Sequence, residues 1–123
     1  MTPKEREQHF NRVAEIPCLS CCAHPVTLHH PHGGSMVDEG ITTGMGLKCS
    51  DWLVLPICEV CHQGPKGYDS SYGVRSAELI HGKQTDHIRT LSKILKLELL
   101  SLAKGDKKPR TALTSSKILA RAS

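Results

Sequence analysis

The chain has few of the side chains from which small proteins build a core. Four of its 123 residues are aromatic (Phe10, Trp52, Tyr68 and Tyr72), and residues 33–48 are mostly Gly, Thr, Met and polar. A chain of this length makes one domain, or one domain with a tail, and apolar burial alone would leave it a thin margin of stability. Long apolar runs are missing too. No uncharged stretch approaches the ~18 residues that signal a membrane helix. The opening Met1-Thr2-Pro3-Lys4-Glu5-Arg6 lacks the apolar core of a secretory signal, so the expected location is the cytoplasm. In that reducing compartment the six cysteines are expected as metal ligands or buried thiols rather than disulfides. No internal repeat is visible.

Acidic residues are scarce in one part only. The net charge of +4 divides unevenly: residues 1–103 hold ten Lys/Arg against eleven Asp/Glu, whereas residues 104–123 hold six against one. This predicts a domain over 1–103 and a basic tail over 104–123, which its Lys, Pro, Ser and Thr content marks as disordered. Such a tail suits sequence-independent contact with phosphates; a merely solubilising tail would carry the same charge.

Thr2-Pro3-Lys4-Glu5 has the form of a capping box with proline at the first helical position. It predicts a helix over 3–15 with Phe10, Val13 and Ile16 as its apolar stripe, stopped by Pro17. Residues 18–22 read as a tight metal-binding turn. Val26-Thr27-Leu28-His29-His30 favours a short strand ending before Pro31. Residues 31–48, with five glycines, form a long loop, a type that is usually functional or mobile. Residues 52–57 make the second strand, which Pro56 confines to an edge or brings to its end. Residues 58–62 turn into a helix cut short by Gly64-Pro65 and Gly67. A short helix over 76–81 ends at Gly82, and Thr85 or Asp86 caps the longest helix, over 86–103. There Ile88, Leu91, Ile94, Leu95, Leu99 and Leu102 keep helical spacing. That face, widened by Leu97 and Leu100, either packs on the core or pairs with a second copy.

Cys18-Leu19-Ser20-Cys21 and Cys58-Glu59-Val60-Cys61 are two C-x-x-C pairs, the spacing with which cysteines hold one zinc ion tetrahedrally. A structural Zn²⁺ on Cys18, Cys21, Cys58 and Cys61 would staple the fold. Cys22 and Cys49 are left over; Cys22 can also stand in for Cys21, and one pair can be no more than buried thiols.

The histidines are where chemistry is expected. Adjacent residues on a strand point to opposite faces, so His29 and His30 serve one site only where the strand twists or ends, as Pro31 suggests. One imidazole would then ligate a catalytic metal while the other takes a proton from water; a polar surface lined by two histidines is the plain alternative. His62, directly after Cys61, would be held opposite that strand end as a second ligand. Asp51 and Asp69 are the carboxylates within reach, each equally suited to a solvated or turn-capping role. His24 and His32 compete for the same assignments, with His29 and His30 preferred for their better strand. Lys66 either touches a phosphate or is an exposed turn lysine.

Taken together, these residues resemble the HNH, or ββα-metal, nuclease superfamily, over roughly residues 18–81. Within it, the C-x-x-C pair, His29-His30, Gly44-Met45-Gly46-Leu47-Lys48, Ser50-Asp51, Leu55-Pro56-Ile57-Cys58 and His62-Gln63-Gly64 are similar to phage-type recombination-enhancement, recombinase-dependent nucleases. The resemblance implies a small α+β fold: a zinc-stapled ββα-metal core of treble-clef-like form, with flanking helices and the basic tail. It also implies that His30 is the general base and that His29 and His62 are metal ligands. Two positions depart from the pattern. Leu53 stands where the superfamily has its middle asparagine, with Asp51 the nearest polar substitute. Asp69 stands where related phage sequences tend to have a histidine.

The implied activity is a metal-dependent DNA endonuclease in phage-type recombination or processing, acting in a bacterial or phage-infected cell. Mg²⁺ or Mn²⁺ would sit on His29, His62 and Asp69; Asp51 would orient His30 or complete the metal shell; and products would carry 5′-phosphates. DNA would be held mainly through its backbone by Lys48, Lys66 and the tail, with a recombinase filament as a possible partner. Deleting residues 104–123 is expected to weaken DNA binding and flatten its salt dependence while sparing the metal site; an unchanged salt slope in a filter-binding titration refutes that role. The rival expectation is a non-catalytic zinc module that binds nucleic acid or a protein and needs no second ion.

Overall fold

Thr2 and Glu5 close the expected capping box, each side chain bonded to the other's backbone N–H (Glu5 N to Thr2 Oγ1 3.1 Å, Thr2 N to Glu5 Oε1 2.9 Å). They open α1 (Pro3–Ala14), the first element of a computed structural model that describes residues 1–41 and 49–104. Lys48, the Gly44–Lys48 motif and residues 105–123 of the basic tail lie outside the described residues. Val13 is buried, with Phe10 and Ile16 half-buried beside it. His9 is buried as well, its Nε2 3.1 Å from the Trp52 carbonyl.

Two short strands, β1 (Thr27–His29) and β2 (Leu55–Ile57), pair antiparallel with Leu28 opposite Pro56. Pro56 is tolerated mid-strand because its backbone points away from β1. Its carbonyl there accepts the Leu19 N–H at 3.1 Å, tying the first cysteine turn to the sheet. The second strand is shorter than residues 52–57 suggested. Ser50 Oγ accepts the Trp52 N–H at 3.1 Å and winds Asp51–Leu53 into a 3₁₀ turn instead. This local side-chain cap overrides the β-prone residues that follow it.

The long loop also gains structure: α2 (Gly34–Asp38) occupies part of it. After β2 comes α3 (Glu59–Gln63), which stops at Gly64 as expected, and then α4 (Val74–His81), which ends at Gly82. The helix expected over 86–103 is two helices, α5 (Gln84–Leu95) and α6 (Leu99–Lys104). Lys96 adopts a left-handed conformation (φ 59°), and Leu97 N bonds back to the Ser92 carbonyl at 3.1 Å. This helix-ending motif normally uses glycine. A lysine there strains the backbone by about 1–2 kcal/mol, so composition gave no sign of the break. Nor does Thr85 or Asp86 cap α5, which begins earlier, after Lys83.

The result is a small α+β fold with six helices and a two-stranded sheet among the described residues. Ile88, Leu91, Leu95 and Leu99 of α5 and α6 join Val13, Leu53, Val54 and Ile57 in one core, and Ile94 is left half exposed. The amphipathic face thus packs on its own domain. No described helix is long and apolar enough to cross a membrane.

Candidate metal centres

Cys18 and Cys21 lie on the turn between α1 and β1; Cys58 precedes α3 and Cys61 lies within it. Their four sulphurs are within 4.8 Å of one another, and Cys21 Sγ and Cys58 Sγ are 3.5 Å apart. Tetrahedral Zn–S bonds of ~2.3 Å set sulphurs ~3.8 Å apart, so the set can hold a metal ion such as zinc. Burial works to raise the Cys18 thiol. The backbone N–H groups of Cys58, Cys21 and Ser20 outweigh it and bring the thiol down to about 7. Burial pushes Cys61 up to about 12. Of the two remaining cysteines, Cys22 is exposed in a left-handed conformation and Cys49 is buried.

A second cluster forms where β1 faces α3. Thr27 and His29 share a strand face, and His62 of α3 lies across from them. The Thr27 hydroxyl donates to the Ile57 carbonyl (2.7 Å) and so has no proton left for His62 Nδ1, 2.6 Å away. His62 Nδ1 must therefore donate, and its Nε2 is turned toward Asp69. That nitrogen lies 2.7 Å from Asp69 Oδ2. On the other side His29, fully buried, has Nε2 at 2.7 Å from Gln84 Oε1, while its Nδ1 has no hydrogen-bond partner and sits 3.8 Å from the same Asp69 oxygen. His32 Nε2 approaches Asp69 Oδ1 at 2.5 Å. The ligand atoms of His29, His32 and Asp69 lie within 4.8 Å of one another.

A carboxylate accepts only, so the imidazole nitrogens that face Asp69 must bring it positive charge, as ring protons or as a bound cation, and this donor set is one that suits a cation. Burial works to raise the Asp69 carboxyl, but its contacts with His29, His32 and His62 outweigh that and hold it far below the usual carboxylate range. Burial lowers His29, and Asp69 raises His32. The Tyr68 ring stacks on His29 (centroids 5.1 Å, 17°) and is anchored by its hydroxyl to the Gly82 carbonyl at 2.6 Å.

Asp69 reaches this point because the chain doubles back after α3. Tyr68 N bonds to the Cys61 carbonyl and Asp69 N to the His62 carbonyl (3.0 and 2.8 Å). Gly67 makes the reversal possible, since a Cβ there would sit 2.6 Å from the His62 carbonyl carbon and oxygen. Gly67→Ala is expected to cost about 1–3 kcal/mol through overpacking and to draw Asp69 off His62. Thermal melting and a divalent-ion titration check both effects, and wild-type values in both would refute this role for Gly67.

His30 points elsewhere, as strand alternation requires. Its Nε2 is 2.8 Å from Asp51 Oδ1 and its ring meets Phe10 edge-on, while Arg6 lies 3.8 Å from Asp51 Oδ2. A carboxylate accepts only, so Nε2 carries the proton and Nδ1 is the basic nitrogen of a His–Asp dyad. The expected site residues thus fall into two groups: His29, His62 and Asp69 together, with His32 added, and His30 with Asp51. Lys66 is exposed on the turn after α3, its ammonium 5.9 Å from the Tyr72 ring centre. His24 stays with α1, its Nε2 3.2 Å from the Ala14 carbonyl. Thr27, Tyr68, Glu78 and Gln84 were not singled out from sequence. Only Thr27 left a trace there, because it alternates with His29 on one strand face.

No protein-family model, curated protein or solved structure matches this chain.

Proposed function

We propose that the chain is a metal-dependent DNA endonuclease of HNH type, cutting phosphodiesters to leave 5′-phosphates. The observation that carries this reading is the convergence of His29 Nδ1, His62 Nε2 and His32 Nε2 on Asp69 at a strand end facing the helix that bears Cys61, one residue away from the His30–Asp51 dyad. The cysteine set would hold structural Zn²⁺, and the histidine–aspartate set a catalytic Mg²⁺ or Mn²⁺. An ion held there supplies positive charge to the phosphate and to the departing 3′-oxygen.

The protein's own groups do the rest. His30 Nδ1 accepts a proton from the attacking water while Asp51 keeps the ring's other nitrogen protonated and steadies the imidazolium that forms. Water oxygen bonds to phosphorus as the P–O3′ bond breaks. Lys66 is an exposed cation for the DNA backbone.

The test is cleavage of single- and double-stranded DNA with Mg²⁺ or Mn²⁺, with and without a recombinase filament. Cutting that needs the divalent ion and leaves 5′-phosphates supports the reading; 3′-phosphate products overturn its geometry. No cutting under any condition, with zinc present on the cysteines, moves the assignment to a zinc module that binds without catalysis.

A further inference from the structure

We propose that Gln84 is the positioning residue of the histidine–aspartate site: one amide, oriented by Glu78, fixes the tautomer of His29 and brings His32 onto Asp69. The inference rests on the ion-site reading above and extends it to Gln84 of α5, which lies beyond residues 18–81, the part of the chain that first suggested a metal centre.

Gln84 is fully buried at the start of α5. Its Nε2 donates to the His32 carbonyl (2.8 Å) and to Glu78 Oε2 (3.2 Å), both of them acceptors only. The other end of the amide must therefore be oxygen, and it accepts the His32 N–H at 3.2 Å and His29 Nε2–H at 2.7 Å. A reversed amide would set oxygen against carboxylate and NH₂ against N–H. With Nε2 of His29 protonated, its lone pair is on Nδ1, the buried and unpartnered atom that faces Asp69. By gripping both backbone groups of His32, the same amide sets where that residue's imidazole leaves the chain.

Glu78 is itself immobilised. It accepts from Gln84 N (3.0 Å), Ser35 N (3.0 Å) and Ser35 Oγ (2.5 Å). Gly34, at φ +46°, leaves room for it; a Cβ there would lie 2.5 Å from Glu78 Oε1. Outer groups that orient metal-binding imidazoles are typically worth about 10–100-fold in metal affinity.

The experiment has two parts, both on the full chain with one zinc bound on its cysteines. Proton–nitrogen correlation spectra of the wild type before divalent ion is added should show His29 as the Nε2–H tautomer; the Nδ1–H form overturns the inference without any variant having to fold. Titration with Mn²⁺, followed by the EPR signal of the free ion, should show a Kd raised about 10–100-fold in Gln84→Met, with zinc content unchanged. Equal Kd values in variant and wild type overturn the role of Gln84 alone. A wild type that takes up no Mn²⁺ overturns the ion site and this inference with it. A wild type that binds Mn²⁺ yet cuts no DNA sinks the nuclease reading and leaves the positioning role standing.

Discussion

Replacing Cys58 with serine should abolish stoichiometric zinc binding and the cooperative thermal transition. Cys58 does two jobs: its sulphur is one of four within 4.8 Å of one another, and its residue opens α3, with the His62 N–H bonded to its carbonyl at 2.9 Å. Structural zinc sites bind with apparent free energies of about 10–16 kcal/mol at neutral pH, against a typical total stability of about 5–15 kcal/mol. Losing such an ion would therefore remove a quantity as large as the whole margin. The two strands have three residues each, too few to persist unaided.

The helices need not all melt. Val13, Ile88, Leu91 and Leu99 are fully buried and lie outside the sulphur set, and residual helicity in circular dichroism is expected alongside the lost transition. Cys22→Ser is the control, because Cys22 is exposed and outside the sulphur set. It should retain one zinc per chain and an unchanged melting temperature. Full cooperative unfolding of Cys58→Ser at the wild-type temperature would show that the core stands without the staple.

The two C-x-x-C pairs were legible because four thiols at that spacing have few other uses in a reducing environment, and the capping box because it is a purely local device. His29, His62 and Asp69 could be named from their places beside a strand end and a cysteine turn. What could not be read were contacts that depend on how distant segments meet. Gln84 reaches His32 and His29 across more than fifty residues (|i−j| 52 and 55), and no pattern in α5 distinguishes it from a surface glutamine. Strand propensity favours His30 over His32 as a partner of His29. In the fold, the face to which each ring turns matters more, and His30 turns toward Asp51. Likewise Lys96 ends α5 in a conformation that its residue type does not advertise, so one apolar stripe became two helices.

His30→Ala should lower the rate of DNA cleavage by about 10²–10⁴-fold, the range a positioned general base contributes, while leaving zinc content, Mn²⁺ affinity and melting temperature near wild type. The separation of effects follows from the geometry. His30 is bonded to Asp51 and packed edge-on against Phe10, whereas the cation-suited donors are His29, His32, His62 and Asp69. Asp51→Asn should give a smaller loss of rate: an asparagine can still accept the Nε2 proton but no longer stabilises the charged ring. Asp69→Asn should behave in the opposite way to His30→Ala, losing ion affinity first and rate as a consequence, so that excess Mn²⁺ restores part of the cutting. Excess ion restores nothing to a chain without its base. Were His30→Ala also rescued by Mn²⁺, or to lose the second ion, the division of labour between the two faces of the strand end would be wrong, and His32, the half-exposed imidazole beside Asp69, would become the group to test as base.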